Sequence, residues 1–403
     1  MSTNSGTRDI NLHETIAKLL AYCRTNEWAG YDPYDALNSP IFRGLPFLDN
    51  RASRLVFTQV LRRSPINIRD WLRIPKTQNP KAIALFLSSL TILEKAGSGC
   101  RGGEIDYMVG RLYDLRSTVT DSWCWGYSFP WQTRNGVVPS GAPNLVCTTF
   151  VANALLDASD CCRDWQCVQM AVNAAEYIVD RLYWREGNTA GFSYPLPSLR
   201  GQVHNANFLA AALLCRVYQL TKDEKFLRPA LRVARYSISK QHTDGSWYYG
   251  EAPSQRWIDN FHTGYNLCAL HAICPYAATA EFDSVLRVGF EYYRRHFFRG
   301  DGSVTYFHNR RYPVDIHCIA QSIITLITLK EMDDSNLSMA RSVLRWALAH
   351  MWDDLGFFYY RILRLHTNRT SYIRWSQAWM LLAMAMTLDA FRPDIVNEPS
   401  HGA

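Results

Sequence analysis

The sequence predicts an all-α fold, an (α/α)6 toroid in which six helical hairpins close into a ring and short aromatic hairpin loops crowd one mouth. Three observations predict it. A glycine that opens an aromatic-rich stretch recurs at residues 126, 191, 245, 302 and 356. A long apolar run follows each opening, and a segment with one charged face precedes the next opening. Repeats at these spacings, each with one buried and one amphipathic segment, are typical of stacked helical units.

Each apolar run predicts an inner helix that is buried on all sides. The runs read NLVCTTFVANAL, VHNANFLAAALL, IDNFHTGYNLCAL, VDIHCIAQSIITL and IRWSQAWMLLAMA. The segments with one charged face predict outer helices over Trp165–Trp184, Asp223–Gln241, Glu281–Phe298 and Asn336–Met351. Before residue 121 the pattern is less regular, but Lys81–Ala96 and Gly103–Ser117 supply one more helix pair, after helices near residues 10–24 and 52–63. The total is then six inner helices.

We expect the toroid to span residues 81–391, with residues 1–80 as an N-terminal helical extension packed on it and residues 392–403 as a disordered tail. Apolar residues make up 48% of the chain, enough for a large core, and charged residues make up 20%, below the roughly 25% of an average soluble protein. No linker divides the chain, so a single large repeat-built domain is the expectation.

Charge and hydropathy exclude several classes of protein. The net charge is +7, but no run of Lys or Arg exceeds three residues, so we expect no nucleic-acid partner. The longest apolar stretches, Phe208–Cys215 and Trp379–Met386, are far shorter than the ~20 residues that span a bilayer, so the protein is not expected to be integral to a membrane. Eleven cysteines without a CxxC motif, and a polar N-terminus, favour a cytoplasmic protein with reduced thiols. The oligomeric state is left open.

Polar residues recur where the inner helices begin, and these form the candidate site. His204, Asp259, Asp315 and Arg374 hold one aligned position, and Asn207, His262, Cys318 and Gln377 lie three residues later on the same helical face; His317 adjoins them. A ring brings these helix ends to one mouth, and convergent polar groups in an apolar setting are typical of a binding site. The alternative is helix capping, since Asp and Asn are favoured N-caps.

Aromatic side chains supply the expected walls of this mouth. Aromatic rings stack on the apolar faces of sugar rings, and Trp125, Trp257, Trp379 and Tyr249 are the residues we assign to this role. Arg374 suits a carboxylate, which it can bind through two hydrogen bonds, and Gln377, Asn207 and His204 are further residues expected to bind substrate. The site is therefore expected to bind a saccharide.

Several separated motifs resemble a family of bacterial and archaeal α/α-toroid proteins encoded with enzymes of polysaccharide biosynthesis. They are SWCWGYSFPWQTR, TDGSWYYGE, WIDNFHTGYN, YPVDIHCIAQSI and RWSQAWMLLA, and they cover roughly residues 120–390. RWSQAW is also similar to the Arg-Gly-Gln-Ala-Trp segment of unsaturated glucuronyl hydrolases, which have six-hairpin toroids. These resemblances imply the fold and a saccharide context.

The residues favour a carbohydrate-active enzyme acting on an acidic, uronate-containing saccharide. Asp259 and Asp315 could act as the two carboxylates of glycosidic cleavage, with Glu251 and Asp121 as further carboxylates on loops. His262 and His317 would instead suit proton transfer in epimerisation or elimination. The sequence leaves hydrolase, lyase and epimerase open, and it predicts no metal or other cofactor for this reading.

Two alternatives belong to other classes. Cys124 in Trp-Cys-Trp-Gly and the pair His317–Cys318 resemble the metal segments of lanthionine cyclases, which would imply a zinc-dependent cyclase. ARYSISKQHTDGSW resembles the Gln-Trp repeat of terpenoid cyclases, although the acidic Asp-x-Asp-Asp motif of that family is absent. The last alternative is a non-catalytic glycan-binding protein, because a fold does not fix a function.

Overall fold

Helices make up most of this protein. The structure, a computed structural model, describes residues 11–392 apart from 46, 48, 134, 135, 163 and 164. In this part of the chain the α-helices are α1 (Leu12–Thr25), α2 (Pro40–Arg43), α3 (Arg51–Arg63), α4 (Pro80–Lys95), α5 (Glu104–Asp114), α6 (Leu145–Cys162), α7 (Trp165–Tyr177), α8 (His204–Thr221), α9 (Glu224–Ile238), α10 (Asn260–Tyr276), α11 (Asp283–Phe297), α12 (Ile316–Thr328), α13 (Asn336–His350) and α14 (Ala378–Ala390). Two π-helical turns, Ile178–Leu182 and Ile373–Gln377, adjoin α7 and α14.

Six of these helices form a closed inner ring. α4, α6, α8, α10, α12 and α14 each pack against the next, and α14 packs against α4 to close the circle. Their side chains are buried almost throughout, because neighbours cover them on every side. This arrangement confirms the predicted toroid of six inner helices.

The outer layer consists of helices with one exposed face. α5, α7, α9, α11 and α13 each pack against the inner helix that precedes them in the chain, and α1 packs against α14. α1 therefore belongs to the outer layer, although it lies within the predicted extension of residues 1–80. The division at residue 80 stays a prediction, and the predicted tail after Arg392 lies outside the described residues.

Short antiparallel strands shape the loops at the ends of the helices. They are β1 (Trp131–Gln132) with β2 (Val137–Val138), β3 (Tyr183–Glu186) with β4 (Thr189–Phe192), β5 (Val314–Asp315) with β8 (Arg361–Ile362) and β9 (Thr367–Asn368), and β6 (Trp352–Asp353) with β7 (Phe357–Phe358). In the longest hairpin Tyr183 lies opposite Phe192. Strands overlap the repeated motifs at residues 126, 191 and 356, whereas the motifs at 245 and 302 form loops without a named strand.

The repeated glycines mark the places where a hairpin touches the next outer helix. Gly245, Gly302 and Gly356 all have φ near +90°, a conformation that side chains rarely adopt. A Cβ on them would lie 2.4, 2.9 and 2.8 Å from the carbonyl oxygens of residues 288, 342 and 18, which belong to α11, α13 and α1. At these three of the five repeated glycines, both the turn and the close approach require glycine.

No helix in the described part of the chain combines the length and the apolarity needed to cross a membrane.

Candidate functional site

A cavity of about 770 Å³ lies where the inner helices begin. Each of the six inner helices, or the π-turn that leads into it, contributes a residue to its lining: Lys81, Val146, Asn205, His262, His317 and Arg374. This volume suits a small-molecule ligand, since small-molecule sites range over roughly 300–1,000 Å³.

Aromatic rings make up much of the cavity wall. They come from the loops before the inner helices and are Tyr127, Phe129, Trp131, Tyr194, Tyr249, Trp257, Tyr306 and Phe307. Tyr249 and Trp257 stack face to face, with ring centroids 4.5 Å apart and planes 12° from parallel. Both were predicted to bind substrate, and the structure places both in the lining.

Asp259 and His262 form a hydrogen-bonded pair at the start of α10. Asp259 is the N-cap: its Oδ1 accepts from the backbone N–H of His262 at 3.0 Å. Its Oδ2 lies 2.7 Å from Nδ1 of His262 and accepts from Nε1 of Trp257 at 2.8 Å. Asp259 is 2% exposed, whereas the His262 side chain is 20% exposed. The carboxylate therefore orients an imidazole whose Nε2 is available to the cavity, the arrangement of an oriented base.

Tyr265 and His317 form a second pair one helical turn deeper. The Tyr265 hydroxyl lies 2.6 Å from Nε2 of His317, and Nδ1 of His317 is buried without a hydrogen-bond partner. The imidazole is in contact with the rings of Phe261, Trp375 and Trp379. Burial, with Lys81, Arg374 and His262 nearby, lowers the pKa of His317 well below its ordinary value. His317 is thus neutral near pH 7.

The neutral, buried His317 predicts a loss of stability in acid. The pKa of His317 is lower in the folded protein than the value of about 6.5 expected in the unfolded chain. Below about pH 6.5 the unfolded chain therefore binds a proton at His317 that the folded protein does not, and this binding stabilises the unfolded state. His317→Gln removes this contribution. We expect the free energy of urea unfolding to fall less steeply from about pH 7 to about pH 5 in His317→Gln than in the wild type.

The comparison with the wild type isolates His317, because burial also lowers the pKa of His271 and His296, and both remain in the variant. Equal slopes in the two proteins would show that His317 is not held neutral by its surroundings.

Arg374 lines the cavity as predicted, but its charge is already paired. Its Nε and one terminal nitrogen donate to the two oxygens of Asp32, at 2.6 and 2.9 Å, and both side chains are buried. Asp32 precedes α2, so the N-terminal segment holds Arg374 in place. The guanidinium also lies 4.8 Å from the ring centroid of Tyr127. Arg374 therefore lines the cavity as a hydrogen-bond donor whose positive charge is already balanced by Asp32.

Asp315 and Gln377 do not line the cavity, contrary to the prediction. Both oxygens of Asp315 are engaged: Oδ2 accepts from two nitrogens of Arg361, at 2.8 and 2.6 Å, and Oδ1 accepts from Nε1 of Trp375 and from the backbone N–H of His317. Gln377 is bound on both sides to the backbone of Phe358. These two side chains hold loops onto the ring.

Four further predicted residues also lie outside the cavity lining. His204 is bound to Glu251 at 2.8 Å and to Ser237, while Asn207 is bound to the backbone of residue 192 and to Gln202 and Ser237. Trp125 is fully buried and donates to the carbonyl of residue 112. Trp379 is 2% exposed and packs behind Tyr265 and His317. Their polar and aromatic groups stabilise the fold.

The cavity lining contains several basic side chains and one carboxylate, Asp259, among the described residues. Arg63, Arg256 and Arg310 line its outer part, and all three are exposed. Lys81 lies at the inner part. A cleft lined mainly by one sign of charge concentrates ligands of the opposite sign.

The zinc alternative depends on Cys124, His317 and Cys318. Among the described residues no three His, Cys, Asp or Glu side chains lie close enough together to hold a metal ion. Burial raises the pKa of Cys124 to about 12 and that of Cys318 well above its ordinary value. The described residues offer no zinc ligand set.

The sequence comparison of repeats misses several lining residues. Lys81 follows the N-cap Asn79 of α4, the one inner helix that no glycine–aromatic motif precedes. Tyr265 lies on the same face of α10 as His262, three residues on, and this spacing could have indicated it. Tyr34 and Arg63 come from the irregular N-terminal segment, where no repeat relates them to the mouth.

No protein-family model matches this chain, and no curated protein matches it significantly. Solved structures do. The chain is similar to cellobiose 2-epimerase from Bacillus thermoamylovorans (10% identity, 94% of this chain and 98% of that chain covered, TM-score 0.64). It is also similar to a GH76 α-mannanase from Bacteroides thetaiotaomicron (10% identity, 77% and 86% covered, TM-score 0.58) and to a polysaccharide lyase (12% identity, 94% and 96% covered, TM-score 0.59). At these identities the likeness shows the α/α-toroid fold alone.

Proposed function

We propose that this protein is a carbohydrate-active enzyme that removes a proton from a sugar carbon next to a carbonyl or carboxylate group, leading to epimerisation or elimination. The observation that carries the proposal is the Asp259–His262 pair. Nδ1 of His262 lies 2.7 Å from Oδ2 of Asp259, so the carboxylate orients the imidazole in a cavity with aromatic walls. The similar solved structures include an epimerase and a polysaccharide lyase, which supports the saccharide as substrate.

Hydrolysis by two carboxylates is less well supported. Glycosidic cleavage of that kind needs an acid and a second carboxylate about 5–10 Å apart. Asp259 is the one carboxylate in the described lining, and it already accepts three hydrogen bonds. Asp315 forms an ion pair with Arg361, and Glu251 is hydrogen-bonded to His204. Among the described residues, the cavity thus contains imidazole groups, and no second carboxylate, as candidates for acid–base chemistry.

In this proposal His262 takes the proton through Nε2, and Asp259 stabilises the imidazolium that forms. The Tyr265 hydroxyl, hydrogen-bonded to Nε2 of His317, supplies a proton to the opposite side of the carbon or to the leaving oxygen. The tyrosinate that remains then takes a proton from water, and the imidazolium of His262 returns its proton to water, so both groups are restored. Since His262 and Tyr265 lie one turn apart on α10 and both line the cavity, they can contact the same sugar unit.

We further propose that the substrate is acidic. The exposed Arg63, Arg256 and Arg310 face the outer cavity, and none makes an ion pair with a described carboxylate. Arginine binds carboxylates through two parallel hydrogen bonds, as a uronate would require. The stacked Tyr249 and Trp257 provide a flat surface for a sugar ring beside these arginines.

The test is incubation with uronate-containing oligosaccharides and with reducing disaccharides in deuterium oxide. Epimerisation would place deuterium at the reacting carbon, detected by NMR, and elimination would give an unsaturated uronate, detected by its ultraviolet absorbance. New reducing ends without either signal would show hydrolysis and overturn the proposal. Binding of the saccharide with no chemical change would make the protein a glycan-binding protein instead.

A further inference from the structure

Lys81 is a buried lysine without an acidic partner. It is the second residue of α4, its side chain lines the cavity, and it is 3% exposed. No described carboxylate lies within 4.0 Å of its Nζ, whereas Lys18, Lys95 and Lys225 on the surface all pair with Glu or Asp. Lysines are almost never fully buried unless they are paired, so this position calls for a function.

The surroundings of Lys81 disfavour its ammonium form. Nζ lies 4.0 Å from the ring centroid of Phe150, 5.2 Å from that of Trp379 and 5.4 Å from that of Tyr265. Burial and the nearby charge of Arg374 lower the pKa of Lys81 well below its ordinary value. The ring contacts favour the cation, but they do not replace the water that burial removes. An amine in an apolar pocket beside a second cation is a nucleophile near pH 7.

We propose that Lys81 forms a covalent imine with the carbonyl carbon of an open-chain reducing sugar in this cavity. The Nζ lone pair adds to the carbonyl carbon, and the carbonyl oxygen takes a proton to give a carbinolamine. Loss of a proton from nitrogen and of the hydroxyl group as water then forms the carbon–nitrogen double bond. No oxidant or reductant is needed. Hydrolysis of the imine returns the free lysine.

The imine gives Lys81 a place in the proton transfer. A protonated imine draws electrons from the neighbouring carbon more strongly than an aldehyde does, so the hydrogen on that carbon is easier for His262 to remove. The inference rests on the proposed function only for its ligand, a saccharide, and it narrows the substrate to one with a free reducing end. A lysine that only balanced a negative charge on the substrate would not require a carbonyl group in that substrate.

The experiment is trapping with sodium cyanoborohydride, which reduces an imine to a stable amine. The full-length protein is incubated with a reducing disaccharide and, separately, with the alditol of that disaccharide, and adducts are located by peptide mass mapping. We expect the disaccharide to add to Lys81 before it adds to the exposed Lys18 or Lys76, with a mass gain of the sugar less one oxygen atom. The alditol has no carbonyl and should add nowhere.

Lys81→Arg keeps a long basic side chain and removes the nucleophilic amine, and Lys76→Arg is the matched surface control. We expect Lys81→Arg to abolish the trapped adduct at this position and deuterium exchange into the disaccharide, while Lys76→Arg behaves as the wild type. Lys81→Met should lose both signals and melt at a higher temperature, because an unpaired buried amine has been removed; this result separates loss of chemistry from loss of fold.

Exchange that persists in Lys81→Arg, or label confined to exposed lysines, would overturn the imine. Failure of the proposed function is distinguishable. An adduct at Lys81 without deuterium exchange would leave the imine standing and show that the neighbouring carbon is not the reacting one. Exchange without an adduct would leave proton transfer standing without Lys81.

Discussion

His262→Gln is expected to lower the turnover of a saccharide substrate by about 10²–10⁴-fold, the usual contribution of a positioned acid–base group. Glutamine can keep a hydrogen bond to Asp259, but it cannot carry a proton near pH 7. Asp259→Asn retains the N-cap of α10 and loses the charge that stabilises the imidazolium, so we expect a smaller loss in that variant. Both are measured as initial rates of deuterium incorporation or of double-bond formation.

Glu251→Gln is the matched control for these variants. It disrupts another carboxylate–imidazole pair, in which Glu251 lies 2.8 Å from His204, outside the cavity lining. Turnover per folded molecule should stay at the wild-type level in this control. If His262→Gln retains wild-type turnover, the Asp259–His262 pair is not the base, and the Tyr265–His317 pair would be the remaining candidate.

The fold is readable from the sequence because each repeat carries its own local signal. Gly245, Gly302 and Gly356 are fixed by a turn with φ near +90° and by contact with the next outer helix, so they recur in register. The inner helices are apolar all round, since the ring encloses them. Local patterns of this kind need no knowledge of which residues meet across the ring.

The site is only partly readable, because equivalent positions have different partners. Alignment groups His204, Asp259, Asp315 and Arg374, yet only Asp259 and Arg374 line the cavity. Asp315 is hydrogen-bonded to Arg361, which lies 46 residues later in the chain. Whether a polar side chain at the start of an inner helix faces the cavity or a loop depends on such long-range partners, which periodicity does not reveal.

Asp315→Asn is expected to destabilise the fold by about 3–5 kcal/mol, the usual cost of removing one partner of a buried ion pair. Asparagine can still cap α12, but Arg361 would keep its charge with no carboxylate beside it, and Asp315 is fully buried. The side chain lies outside the cavity lining, so turnover per folded molecule should be retained. This expectation departs from the sequence analysis, which placed Asp315 among the candidate catalytic carboxylates.

A double-mutant cycle separates the ion pair from the packing around it. Arg361→Met leaves Asp315 buried without its cation and should also be strongly destabilising, whereas Asp315→Asn combined with Arg361→Met leaves no unpaired charge. We therefore expect the free energy of urea unfolding of the double variant to exceed that of either single variant. If the two losses simply add, the pair is not coupled, and Asp315 stabilises the protein through its bonds to Trp375 and the backbone of His317 instead. If Asp315→Asn abolishes turnover at unchanged stability, Asp315 belongs to the reaction, and the cavity must change shape when substrate binds.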